Sequence, residues 1–249
     1  MRILLVALTA VVMTAILGPI VLIARLFRVP QGRESIYTRC VNLWARSINV
    51  AAGVRVRVHG REHLRHAQGA VFMANHVSWF DICPLVSQVP WCSFVAKAEI
   101  RRVPLFGFAA EAVGIVFLDR ENRKRAFESY EDAAKLVQAG RGIAVCPEGT
   151  RGTDYHLRPF KKGPFVLAIA AQSPIVPTVV YGAREVMPKG SFWIRSGTVD
   201  VHFLEPVSTA GFDYDHRAEL MQVVWQRMAD HLRTAYGVTT SEQAVANQA

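Results

Sequence analysis

The sequence has little with which to build a disulfide or zinc framework. Its four cysteines, Cys40, Cys83, Cys92 and Cys146, form no C-x-x-C pair and no zinc-ligand spacing with the eight histidines. They read as buried, reduced thiols of a domain on the cytosolic side. Acidic charge is also short: 20 Asp and Glu stand against 29 Lys and Arg, for a formal net charge of +9. Such a balance suits anionic lipid headgroups, an acidic carrier protein or nucleic acid. Nucleic acid is disfavoured, because the cations make neither an aromatic-interleaved basic face nor a recognition-helix pattern. Repeats and low-complexity tracts are absent, and 249 residues suffice for one packed domain plus an anchor.

Charge is missing altogether between Ile3 and Ala24, where Leu, Val, Ile, Ala and Met dominate. A run of that length can cross a bilayer core of roughly 30 Å. Gly18-Pro19 interrupts it, which leaves open a kinked span or a re-entrant, interfacial helix. A signal peptide fits less well, since Arg2 is the one basic residue ahead of the run and no small-x-small site follows it. Arg25, Arg28, Arg33 and Arg39 come next. By the positive-inside bias they place the rest of the chain on the cytoplasmic side of a membrane.

Beyond the anchor, residues 34–52 carry apolar positions at near-helical spacing, and Val54 to Val58 alternate as a half-exposed strand does. Four short apolar runs then read as buried strands, each with polar residues at its end. Ala70–Ala74 runs into Asn75-His76, Ser93–Ala96 into Lys97, Ile115–Leu118 into Asp119-Arg120, and Ile143–Cys146 into Pro147-Glu148-Gly149-Thr150-Arg151. A charged-faced helix is expected over 123–138 and an apolar one over 164–172. A strand is expected over 175–181, a pair of strands near 192–195 and 198–203, and an amphipathic helix over 215–236. The pattern predicts an α/β fold with a mixed, largely parallel sheet flanked by helices. The expected division is a membrane-anchoring helical segment over 1–52, the α/β domain over 53–236 and a flexible tail over 237–249.

In open α/β sheets ligands bind beyond the carboxyl ends of the strands. Parallel strands would therefore gather His76, Lys97, Arg120, Glu148 and Arg151 at one rim. Ser78 and Asp81, three apart, have the form of a capping box. On one continuous helix His76 and Asp81 would lie about 140° apart, but a turn between them can bring the carboxylate back to the imidazole. Such a carboxylate fixes the tautomer and steadies the imidazolium formed when the other nitrogen takes a proton. No serine or cysteine is placed as a nucleophile. His76 therefore reads as a general base that takes its proton from a substrate hydroxyl, with no acyl-enzyme. Lys97, Arg120 and Arg151 at successive strand ends point to a shared anion, and the Glu148–Arg151 turn can add backbone N–H groups for a phosphate or an oxyanion.

Asn75-His76 to Asp81 resembles the NHx₄D motif of the 1-acylglycerol-3-phosphate acyltransferase family. Gly114 to Arg120 resembles its second block, Pro147 to Arg151 its third and Ile175 to Val180 its proline-containing fourth, in the right order over about 65 to 185. The resemblance implies acyl transfer to the free hydroxyl of lysophosphatidic acid from acyl-CoA or acyl carrier protein, without metal or cofactor. It implies His76 as base and Asp81 as its partner. Lys97, Arg120 and Arg151 become ligands of the acceptor phosphate, and Glu148, Gly149 and Thr150 part of the acceptor site. It also implies contact with membrane lipids through the N-terminal helices. Cys146 and Gly152 stand where an aromatic residue and a serine are common, so another acceptor, such as a lyso-ornithine lipid or another lysophospholipid, fits the same blocks.

Overall fold

The structure, a computed structural model, describes residues 2–65, 67–119 and 123–239, without the side chains of 123–128. It opens with two helices, α1 (Arg2–Leu26) and α2 (Ile36–Ala52), that pack side by side. Seven strands follow: β1 (Val54–His59), β2 (Val71–Ala74), β3 (Ser93–Lys97), β4 (Val116–Leu118), β5 (Ile143–Val145), β6 (Ile175–Tyr181) and β7 (Gly197–Phe203). Between and after them lie α3 (Ile82–Val86), α4 (Phe106–Ala112), α5 (Arg123–Gln138), α6 (Lys162–Ala170), α7 (Ala183–Val186) and α8 (Arg217–Tyr236).

The strands form one sheet in the order β1-β7-β6-β2-β5-β3-β4. Every pairing is parallel except β6 with β7, so β2 to β6 all point one way and β1 and β7 the other. The sheet is thus mixed and mostly parallel, as the strand pattern predicts. Its central strands are buried on both faces, which is why they read as continuous apolar runs. In β2, Val71 and Met73 join one core with α6 and α8, while Phe72 and Ala74 join the other with α2 and α3. The strand period of two sorts alternate residues between the layers.

Helix α1 runs unbroken through Gly18-Pro19. Gly18 serves packing there: a Cβ at that position would meet Leu105 Cγ at 3.2 Å. Only Leu17, Gly18, Val21 and Ala24 of α1 are buried, whereas Leu4, Leu8, Val11, Ile16 and Ile23 are exposed. Its 25 residues give a length near 37 Å at 1.5 Å per residue, enough to cross a bilayer core. An apolar helix with that much open surface associates with membrane. Trp44 Nε1 of α2 donates to Thr14 Oγ1 at 3.0 Å and Arg2 donates to the Ala52 carbonyl at 3.2 Å, fastening α1 to the domain.

The sequence reading fails at 192–195, which is a loop and not a strand. Phe-Trp-Ile-Arg alternates as a strand does, yet Ile194 alone turns inward, while Phe192, Trp193 and Arg195 stay out. Cys40 and Cys92 are buried, and Cys83 and Cys146 are half-buried.

Candidate active site

Strand β2 ends at Ala74, and the next two residues do different work. Asn75 turns back to the sheet, donating through Nδ2 to the Val180 carbonyl at 3.1 Å and accepting the Val180 N–H at Oδ1, 2.7 Å. It replaces the ladder bonds that β2 would otherwise lose. His76 then leaves the sheet, clamped by the loop after β5. Its N–H donates to Glu148 Oε1 at 2.8 Å, and its carbonyl accepts the Gly152 N–H at 2.7 Å.

The turn after His76 returns Asp81 to it. Ser78 caps a short 3-10 turn over Trp79–Asp81 as the sequence predicts, its Oγ accepting the Phe80 N–H at 2.9 Å and donating to the Met187 carbonyl at 2.6 Å. Asp81 Oδ2 lies 2.7 Å from His76 Nδ1 and accepts the Val77 and Ser78 N–H groups at 2.7 and 2.8 Å. One oxygen thus takes three donors, so Nδ1 carries the proton and Nε2 is left as the basic nitrogen. The Asp81 side chain is 1% exposed and that of His76 18%. The carboxylate is sealed from water while the imidazole can be reached.

The other described residues expected at the site lie on the same rim. The strands β2, β5, β3 and β4 are neighbours in that order, which places His76, the 146–151 loop, Lys97 and Asp119 side by side at their carboxyl ends. Lys97 and Thr150 are exposed, and Gly149 is half-buried. Gly149 has φ of +72° and donates its N–H to the Cys146 carbonyl at 3.1 Å, making the left-handed turn that glycine permits. Arg151 is half-buried, its guanidinium 4.9 Å over the Trp79 ring. Arg120 lies outside the described residues.

Glu148 is 3% exposed, and its carboxylate accepts two amides, His76 N–H at Oε1 and Arg158 N–H at Oε2, 3.3 Å. It is built under the site and ties the third block to the first. The motif contains Asn75 and Trp79 but by itself assigns neither a role, and Tyr155 lies outside it. Tyr155 OH donates to Glu185 Oε2 at 2.6 Å and accepts the Gly182 N–H at 2.7 Å, joining the loop after β5 to the end of β6. An exposed aromatic inside the NHx₄D turn was the one signal for Trp79; nothing local marks Tyr155.

A second titratable cluster sits on the edge pair β1 and β7. His59, Asp200 and His202 bring ligand-type atoms within 4.8 Å of one another. Arg57 already holds both Asp200 oxygens, at 2.9 and 2.8 Å, and the two imidazoles stack with planes 10° apart. Their in-plane lone pairs therefore do not converge on one point as a metal site needs. The cluster is a cross-strand ladder.

Glu148 and His202 oppose one another in stability. Burial lifts the Glu148 carboxyl to about 7, against the amides of His76 and Arg158. Burial, then the nearby His231 and His59, lowers His202 to about 4. Glu148 holds its proton more tightly in the folded chain, so its contribution is full below about 4.5 and lost as pH rises toward 7. His202 holds its proton less tightly, so its contribution is full above about 6.5 and lost as pH falls toward 4. The two contributions therefore run in opposite directions over the same pH range. Glu148→Gln is expected to remove one side of the balance. Its melting temperature, read in detergent across this range, should climb with pH; a flat profile would refute the His202 assignment.

An α/β sheet with a carboxylate-braced histidine and cations at its carboxyl rim defines a class: an enzyme that transfers acyl groups. The acyltransferase family profile matches residues 55–181. A crystal structure of the 1-acyl-sn-glycerophosphate (LPA) acyltransferase of Thermotoga maritima superposes with a TM-score of 0.76 and 26% identity, over 92% of this chain and 94% of that one. The 1-acyl-sn-glycerol-3-phosphate acyltransferase alpha of Homo sapiens is 32% identical over 74% of this chain and 66% of its own length. A chloroplastic 1-acyl-sn-glycerol-3-phosphate acyltransferase of Brassica napus is 31% identical over 76% of this chain and 54% of its own length. The matched region thus spans between about half and two thirds of these two relatives. The chain belongs to the 1-acylglycerol-3-phosphate acyltransferase family.

Proposed function

We propose that this protein transfers a fatty acyl group from acyl-CoA or acyl carrier protein to the sn-2 hydroxyl of lysophosphatidic acid, giving phosphatidic acid. The observation that carries the reading is the 2.7 Å contact between His76 Nδ1 and Asp81 Oδ2 at the rim where the basic residues gather. It leaves Nε2 free to take a proton. The relatives named above support the choice of acceptor.

In this reading Nε2 of His76 takes the proton of the acceptor hydroxyl as its oxygen attacks the thioester carbonyl of the donor. Asp81 steadies the imidazolium. Collapse expels the thiolate, which recovers the proton from His76. Arg151 and Lys97, with Arg120 by family resemblance, hold the acceptor phosphate. Trp79 keeps the Arg151 guanidinium in place. The domain works on the cytoplasmic face, a placement supported by Arg25, Arg28, Arg33 and Arg39 after the apolar helix.

The test is to incubate the membrane-embedded protein with palmitoyl donor and lysophosphatidic acid and follow diacyl product by mass spectrometry. Product from lysophosphatidic acid is expected. Product only from another lyso-lipid would replace the acceptor and keep the chemistry. Arg151→Ala is expected to raise KM for the acceptor about tenfold to a hundredfold, with a smaller loss in kcat, since phosphate contact is made in ground and transition states alike. An unchanged KM would refute the phosphate role.

A further inference from the structure

The loop between α7 and β7 carries two consecutive aromatic side chains in open solvent, Phe192 at 79% and Trp193 at 73% exposure. The loop is not slack. The Ser191 N–H donates to the Pro188 carbonyl at 3.0 Å, the Trp193 N–H to Ser191 Oγ at 3.0 Å, and the Arg195 N–H to the Val186 carbonyl at 2.9 Å. Ile194 is buried beneath them at 9% exposure and pins the tip to the core. A built turn thus holds two large apolar rings away from the protein.

Charge along the loop has one sign. Lys189 and Arg195 are exposed on either side of it, and no Asp or Glu occurs from Met187 to Val199. Position adds a second constraint. At one end Pro188 bridges to Ser78, whose hydroxyl donates to the Met187 carbonyl, so the loop departs from the turn that holds His76 and Asp81. Lys189 Nζ also donates to the Arg151 carbonyl at 2.9 Å. At the other end Ser196 and the Arg2 guanidinium both lie against Gly53. Arg2 opens α1, whose exposed Leu4, Leu5 and Leu8 follow within two turns.

We propose that residues 188–196 form a second membrane contact, with Phe192 and Trp193 seated in the headgroup region of an anionic bilayer and Lys189 and Arg195 on its phosphates. Aromatic rings flanked by cations are the composition that partitions to such an interface. Continuity with the open apolar surface of α1 makes the occupant a lipid surface and not a second copy of this chain. With α1 and the tip as two supports, the mouth of the site between them faces the bilayer, and a lipid acceptor need not cross water to reach His76. This last consequence rests on the acceptor proposed above; the contact itself does not.

The test uses the full chain in vesicles of phosphatidylglycerol and phosphatidylcholine whose acyl chains are brominated near the headgroup. The tryptophan emission of Trp193→Phe is subtracted from that of the wild type to isolate Trp193. Its emission is expected to be quenched at least about twofold by the brominated lipid and to be shielded from aqueous acrylamide. Quenching by acrylamide alone would put the tip in water and overturn the proposal. Quenching by neither, with emission that changes on dilution among excess vesicles, would make the tip a contact between copies and overturn it equally.

A second arm reads turnover. Phe192→Ser with Trp193→Ser is expected to raise KM about tenfold for a vesicle-borne acceptor, and to leave a short-chain, water-soluble acceptor unaffected. Equal loss on both acceptors would move the loop into the site and overturn the proposal. The quenching arm needs no turnover, so a wrong acceptor and a wrong membrane contact give separable results.

Discussion

His76→Ala is expected to lower kcat for acyl transfer by about 1,000-fold to 10,000-fold, the upper range for loss of a positioned general base. The fold should survive. The two contacts that tie this residue to the 147–152 loop, to Glu148 and from Gly152, run through the backbone and are kept by alanine. Asp81 keeps two of its three donors, the Val77 and Ser78 amides, so the buried carboxylate is not orphaned. The missing imidazole is partly exposed, and water can fill its place. Turnover with saturating donor, beside a melting curve and a vesicle co-flotation assay, separates the outcomes. A rate within tenfold of wild type would sink the base assignment. A lost melting transition would instead show that His76 holds the turn together.

How much of this was legible depended on whether the cause was local. The central strands announce themselves as apolar runs because both faces are covered, and the polar residue that ends each is visible in one dimension. The His76–Asp81 pair was readable because a five-residue spacing with a capping serine has few geometries. The loop over 192–195 misled because alternation records which side chains turn inward, and one buried Ile194 between exposed neighbours mimics a strand. The pairing of Arg57 with Asp200, 143 positions apart, was invisible: it depends on β1 lying beside β7, which no local pattern dictates. Glu148 falls between these cases. Its place in the third block was plain, but its partners, two backbone amides, belong to any sequence and leave no mark.

The chain direction explains why one cluster of histidine and carboxylate is poised for chemistry and the other is not. Strands β2 to β6 run together, so their carboxyl ends share one rim. There His76 leaves the ladder, held by Asp81 at Nδ1 and with its ring partly exposed. His59 and His202 stay within β1 and β7 as register partners, their rings stacked and Asp200 held by Arg57. Similar residue types serve packing in one place and reactivity in the other, according to whether the strand has ended.

Asp81→Asn is the sharper companion of the histidine test, because the geometry restricts what the amide can do. All three donors converge on Oδ2, while Oδ1 is buried with no partner among the described residues. If the amide NH₂ took the Oδ2 position, it would meet two backbone N–H groups and the imidazole N–H, donor against donor. The carbonyl oxygen must therefore stay there, with the NH₂ buried and unsatisfied where Oδ1 was. The tautomer of His76 is then preserved and only the negative charge is lost. The expected result is a folded protein destabilised by about 1–3 kcal/mol, with kcat down about 100-fold to 1,000-fold because the imidazolium is no longer steadied. A loss near 10,000-fold would mean that the amide has turned and reversed the tautomer, the outcome known for the corresponding change in serine protease triads. A loss below about tenfold would show that the carboxylate charge adds little to the rate and that Asp81 serves mainly to close the turn.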